Sequence, residues 1–352
     1  MDLSLFYFAD DSTGTPAAGA DGRYQLLLEG ARFADRNGFR AVWTPERHFH
    51  PFGGLYPNPA VTGAALAAVT DRLAIRAGSV VAPLHHPARI AEEWSVVDNL
   101  SGGRVGISFA SGWHPVDFAL GQTAYDDRKQ VMLQRVDEVR RLWRGESLDV
   151  TDGTGRPTRV RVFPPPVRPE LPVWVTSAGE PDTFRAAARA RAGVLTHLLH
   201  QSLDELTEKI TEYRETAHRT HPGWNGHVVL MLHTYLAESR DEARRTVRGP
   251  LRDYLRSSLH LVTRSITEAD PDFDLDSLDE EDIDFLLTRS FDTYFDHRGL
   301  FGTVDRAART VEDARAAGVD EIACLIDFGI DTKTVLDGLR LLGELRTRIT
   351  PA

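Results

Sequence analysis

Eight short apolar runs, each separated from the next by a stretch with helical periodicity, constrain this chain more than any other feature. They are Leu3–Phe8, Arg40–Trp43, Leu73–Val81, Arg104–Ala110, Pro172–Ser177, Gly193–Leu198, His227–Ala237 and Glu321–Ile326. Their length and their content of branched and aromatic residues mark them as strands. Amphipathic stretches lie between them: Tyr24–Asn37, Arg89–Leu100, Arg128–Arg144, Pro181–Arg191, Leu203–Ala217 and Val304–Ala317. Gly38 and Gly318 close two of these just before a strand, as helix C-caps often do. Strict strand–helix alternation predicts parallel strands under covering helices. Eight units without a dinucleotide glycine fingerprint favour a closed (β/α)8 TIM barrel over a doubly wound sheet.

Three stretches interrupt the alternation in what reads as one barrel domain over residues 1–352. Residues 45–59 form a Pro/Gly-rich loop, residues 146–170 are expected to add a hairpin, and residues 257–302 carry an acidic block, Glu268 to Asp284, before an aromatic run. Barrel active sites lie at the C-terminal strand ends, so long insertions after strands are lid candidates, the last above all. The bland reading of the acidic block is a solvated linker. A net charge of −11 argues against nucleic acid or an anionic membrane as a partner. The start, Met1-Asp2-Leu3-Ser4, lacks a basic signal-peptide region, and no run approaches the roughly 18–20 apolar residues of a membrane span. The single cysteine, Cys324, reads as a core thiol that forms no intramolecular disulfide, and the chain reads as cytoplasmic.

Several patterns imitate known chemistry. Asp270, Asp272, Asp274, Asp276 and Glu281 have calcium-loop spacing, but Leu275 stands where the turn demands glycine. Gly106-Ile107-Ser108-Phe109-Ala110 resembles a nucleophile elbow, yet Gly112-Trp113-His114-Pro115 follows it instead of a helix. The pairs His48/His50, His85/His86 and His197/His200 lack metal-ligand helical spacing, so no metal is expected. Phosphate recognition has a better candidate in the small turn Ser177-Ala178-Gly179, which leads into a helix at Pro181. Backbone N–H groups and the positive end of a helix favour an anion there. Arg128, opening a helix after a long loop, is the candidate compensating charge.

Together the residues have a familiar order. Trp43-Thr44-Pro45-Glu46-Arg47-His48-Phe49, His86-Pro87-Ala88-Arg89, Ser101-Gly102-Gly103-Arg104, Ala110-Ser111-Gly112-Trp113 and the Ser177 turn resemble the luciferase-like flavin monooxygenase family. Gly78-Ser79-Val80-Val81, Leu195-Thr196-His197-Leu198-Leu199 and Leu230-Met231-Leu232-His233-Thr234 resemble its natural-product-biosynthesis subgroup. This resemblance, spread over nearly the whole chain, implies a barrel that binds reduced FMN at its C-terminal strand ends, with O2 as co-substrate. It implies Ser79 against the isoalloxazine ring beside a cis peptide at Gly78–Ser79. Ala110 replaces a flavin-facing cysteine, and Ser111 replaces a phosphate-binding arginine, which throws weight onto Arg128. Ser177, Ala178 and Gly179 match the phosphate turn, and Thr196 and His197 a strand end near the flavin.

At the family's general base stands Arg47, leaving His48 as the candidate acid/base; Arg47 is a candidate partner for a substrate carboxylate or phosphate. The resemblance further implies a separate flavin reductase, a homo-oligomer, and hydroxylation of a small or carrier-protein-bound natural-product intermediate. Two alternatives stay open: a hydride-transfer oxidoreductase using reduced deazaflavin, and a flavin-binding accessory protein without activity.

Overall fold

The computed structural model describes residues 1–8, 22–51, 53–199, 201–269 and 280–349, with the backbone alone for 257–269, 280 and 282. Its strands are β1 (Asp2–Tyr7), β2 (Ala41–Thr44), β3 (Ala74–Val81), β4 (Val105–Ala110), β5 (Leu148–Thr151), β6 (Pro157–Val160), β7 (Val173–Thr176), β8 (Gly193–His197), β9 (Val228–Leu236), β10 (Leu300–Gly302) and β11 (Glu321–Asp327). The helices are α1 (Gln25–Arg36), α2 (Pro59–Ala67), α3 (Pro87–Ser101), α4 (Arg128–Trp143), α5 (Pro181–Arg189), α6 (Leu203–Thr220), α7 (Arg240–Ala269), α8 (Glu280–Thr293), α9 (Val304–Ala316) and α10 (Thr332–Ile349).

Strands β1, β2, β3, β4, β7, β8, β9 and β11 pair in that order, all parallel, and β11 returns to β1. The result is a closed (β/α)8 barrel. Each expected strand is present, with no end displaced by more than one residue. Local chemistry sets the helix boundaries. Asn58 caps α2 through its side chain, with Pro59 in the first turn, and Ser202 and Glu205 form a reciprocal capping box on α6. Gly38 and Gly318 take positive φ where the chain turns into the next strand.

Residues 146–170 hold the expected hairpin, β5 pairing antiparallel with β6. The expected 257–302 insertion opens inside a helix. Helix α7 starts at Arg240 and crosses position 257 without a break, while β10 joins the sheet beside β9. The end of the acidic block, from Glu280 to Asp284, is helical, so the solvated-linker reading fails there. Arg–Asp pairs hold α7 to the segment that follows it, Arg244 to Asp292, Arg252 to Asp284, and Arg240 to Asp296 at 2.7 Å. Asp270, Asp272, Asp274 and Asp276 of the calcium-like pattern, and His200, lie outside the described residues. Among those described, no helix is long and apolar enough to cross a membrane.

Polar side chains fill the lumen near the strand starts. Glu321 Oε1 accepts from Ser4 Oγ at 2.5 Å and Trp43 Nε1 at 3.0 Å, and Arg76 Nη1 reaches Oε2 at 2.8 Å. The Arg76 guanidinium lies over both Trp43 and Trp174, and Trp174 Nε1 donates to His227 Nδ1 at 3.0 Å. Burial pushes the Glu321 carboxyl up, but Arg76, His227 and Ser4 together outweigh it and hold the group below its usual range. Cys324 is a free thiol in the core, pushed up to about 12 by burial.

Candidate functional site at the barrel mouth

At the other end of the lumen, the tips of β3, β4 and β7 bring three hydroxyls together. Thr176 Oγ1 lies 2.7 Å from Ser108 Oγ and also hydrogen-bonds Ser79. The Gly78–Ser79 peptide is cis, and Ser79 drops out of the β3–β4 register between Gly78 and Val80. A Cβ on Gly78 would fall 2.7 Å from the Phe6 ring, so only glycine fits there. Ala110, half-buried, ends β4 opposite Val81, and Ser111 begins the loop beyond it. Ser108, which looked like a nucleophile elbow, is a fully buried strand residue.

One strand further round, β7 runs into the Ser177-Ala178-Gly179 turn at the head of α5. Ser177 is buried, and its Oγ accepts from the Gly179 N–H at 3.3 Å. Gln201 ties the tip of β8 to this turn. Its Nε2 donates to Thr196 Oγ1 at 3.1 Å and to the His197 carbonyl at 2.7 Å, while its Oε1 accepts from Lys209 Nζ at 2.8 Å. A Cβ on Gly179 would stand 3.0 Å from Gln201 Oε1 and 3.4 Å from Lys209 Nζ. The turn therefore presents a small concavity with an ammonium on its wall, in keeping with an anion cradle.

Lys209 carries no local sequence signal, because it lies mid-helix on α6 and reaches the turn only through the fold. Arg128, the expected cation, opens α4 but lies over the Tyr125 ring at 3.9 Å and donates to its carbonyl at 2.8 Å. Its neighbour Lys129 is the residue that approaches the turn, bonding Glu180 at 2.7 Å. That hydrogen bond, more than any other influence, holds the Glu180 carboxyl below its usual range.

Across the mouth, the loop after β2 carries Glu46, Arg47 and His48. Glu46 is buried; its Oε2 accepts from the Val81 N–H at 2.7 Å, and its Oε1 meets His48 Nε2 at 2.9 Å and also His85 Nε2. Burial would raise this carboxyl, but the bonds from His48, His85 and Val81 outweigh it and lower it. Burial would likewise lower His85, but Glu46 outweighs it and raises the imidazole. The two histidines were visible as parts of separate pairs; their convergence on one glutamate was not.

Arg47 is buried, with Asp117 at 3.5 Å and its guanidinium over Trp113 at 4.0 Å. The carboxylate it meets is the chain's own. Near the end of β9, buried His233 sits edge-on to Tyr254, Tyr294 and Phe328. Its Nε2 has no hydrogen-bond partner among the described residues. Burial, reinforced by His197, pushes it down to about 3, so the ring is neutral.

Comparison with known proteins settles the family. Residues 1–321 match luciferase-like monooxygenases. The chain belongs to that family. This luciferase-like protein is 27% identical over 222 residues to the flavin-dependent trigonelline monooxygenase, oxygenase component, of Acinetobacter baylyi. The match covers 62% of the chain, which spans 61% of that relative's length. Among solved structures, monooxygenase RslO1 from Streptomyces bottropensis superposes with a TM-score of 0.80 at 24% identity, covering 98% of both chains. The oxygenating constituent of 3,6-diketocamphane monooxygenase from Pseudomonas putida, in complex with FMN, gives 0.75 at 19% identity, covering 99% of both. At these identities the two structures show a shared luciferase-like barrel fold.

Proposed function

We propose that this chain is the oxygenase component of a two-component flavin monooxygenase, taking reduced FMN from a separate reductase and hydroxylating a natural-product intermediate, free or carrier-bound. The supporting observation is the pairing, on one barrel face, of a small-residue shelf with an anion cradle. Gly78, Ser79 and Ala110 form the shelf on adjacent strands, and Ser177–Gly179 with Lys209 form the cradle beyond the next strand, β7. A flat ring needs the first and a phosphate tail the second.

Reduced FMN would supply the activation of O2; the chain would bind, orient, exclude water and move protons. Ser79 and Ala110 would lie against the ring. Ser177, Ala178 and Gly179, with Lys209, would hold the phosphate, and Thr196 and His197 would line the slot between. His48, hydrogen-bonded to Glu46, is the acid/base. Arg47, with Asp117 and Trp113, anchors the loop that carries it. The curated relative, an oxygenase component by name, supports a partner reductase.

Anaerobic titration with FMN and with riboflavin tests this reading. Lys209→Ala is expected to weaken FMN binding roughly 10- to 100-fold, the worth of a charge-assisted hydrogen bond. Riboflavin, lacking the phosphate, should bind wild type and variant alike. Equal losses for both ligands, or tighter binding of reduced deazaflavin than of reduced FMN, would overturn it. Oxygen uptake with reduced FMN and substrate separates an oxygenase from a flavin-binding accessory protein.

A further inference from the structure

Glu46 is not a passive neighbour of two histidines. Its Oε2 is pinned by the Val81 N–H at 2.7 Å, so the carboxylate cannot swing away, and both imidazoles converge on the other oxygen. The three donor and acceptor atoms lie within 4.8 Å of one another. The side chains differ in depth: Glu46 is 2% exposed, His48 12% and His85 29%. A buried carboxylate bridging a more exposed imidazole, His85, to a less exposed one, His48, is built to pass a proton.

We propose that His85, Glu46 and His48 form a proton relay at the barrel mouth, with His85 as its solvent end and His48 as its inner end. The His85 imidazolium gives its Nε2 proton to Glu46 Oε1. The same oxygen passes a proton to Nε2 of His48, present as the tautomer protonated at Nδ1. His85 ends neutral, His48 ends as the imidazolium, and the carboxylate is regenerated, so charge and proton count balance. Two imidazolium ions on one carboxylate would repel, so the pair holds a single extra proton. Around His85, the facing charges are Glu46 and Glu93, which favour its cation, and Arg89, which opposes it. His48 meets Glu46 Oε1 at 2.9 Å.

The relay deepens the monooxygenase reading, because a proton supply at the mouth serves the acid/base role given to His48, but its existence does not depend on flavin. Histidine side-chain NMR on the labelled, flavin-free full chain tests it. In wild type, His85 should titrate above the 6.5 of an ordinary histidine. Glu46→Gln should lower that midpoint, and His48→Ala should raise it, because His85 then has the carboxylate to itself. If Glu46→Gln does not fold, the His48→Ala arm alone decides.

A His85 midpoint indifferent to His48→Ala would overturn the relay. So would saturable one-to-one binding of Zn²⁺ that Glu46→Gln abolishes, since it would make the three groups metal ligands. Where FMN binds, His85→Gln should also shift the pH profile of kcat at unchanged FMN Kd. Failure of FMN to bind would sink the monooxygenase reading and leave the NMR result standing.

Discussion

The two ends of β11 carry carboxylates shifted in opposite directions. Glu321, at the first residue, is ringed by Arg76, His227, Ser4 and Trp43, and is held ionised. Asp327, at the last, has the Tyr56 hydroxyl at 2.9 Å, and burial pushes it up to about 6. The same contrast runs along β9. His227, just before the strand, accepts from Trp174, while His233 near its end keeps a buried nitrogen unpartnered among the described residues. At the base, polar groups answer one another and hold the barrel closed. At the mouth they are left tense or half-open, as a site for ligands and protons requires.

The largest effect should come from breaking the base. Glu321→Ala leaves the Arg76 guanidinium buried without its carboxylate, which costs about 3–5 kcal/mol. Urea denaturation at neutral pH would measure it; a loss under 1 kcal/mol would mean the cluster is not what closes the barrel. Because the folded-state pKa of Glu321 is lowered, its contribution is present above the unfolded value of 4.5 and fades as pH falls through the folded one. The gap between wild type and variant should therefore narrow in acid.

Asp327 should behave the other way. Its folded pKa of about 6 lies above the unfolded 3.8, so its favourable contribution is complete below 3.8 and is lost as pH rises through about 6. At about 1.4 kcal/mol per pKa unit, discounted for its partial exposure, the ionised carboxyl costs the fold roughly 2 kcal/mol at pH 8. Asp327→Asn should remove most of that cost, with Tyr56 still able to donate to the amide oxygen. Melting curves at pH 4 and pH 8 should show the variant ahead only at the higher pH. A pH-independent offset would break the contrast along β11.

Much of this architecture was legible in the sequence because it is local. A buried parallel strand needs a short branched run, and a helix end needs Asn58, Ser202, Gly38 or Gly318 in place. The Ser177–Gly179 turn was visible for the same reason. What stayed hidden arises across the barrel. Lys209 reaches the turn from the middle of α6, Ser108 and Thr176 meet between strands, and Glu46 gathers His48 and His85 from two loops. Neither spacing nor periodicity encodes such meetings. Arg128 shows the converse: its place at the head of α4 was legible, but Tyr125 decides where its side chain rests. In the 257–302 stretch, composition showed the acidic and aromatic runs but not that α7 crosses position 257 and that α8 starts at Glu280.

The smallest effect sharpens the comparison most, because it should change sign between the ends of one strand. His227→Phe removes the acceptor of the Trp174 N–H, stranding a buried donor at a cost of about 1–3 kcal/mol. His233→Phe removes a nitrogen that bonds nothing described and keeps a ring among Tyr254, Tyr294 and Phe328, so the fold should gain up to about 1 kcal/mol. Urea midpoints measured side by side would show one variant below wild type and the other at or above it. The stabilised variant should also raise KM for the substrate if the orphan nitrogen awaits a ligand. Equal losses from both substitutions would mean His233 is as structural as His227.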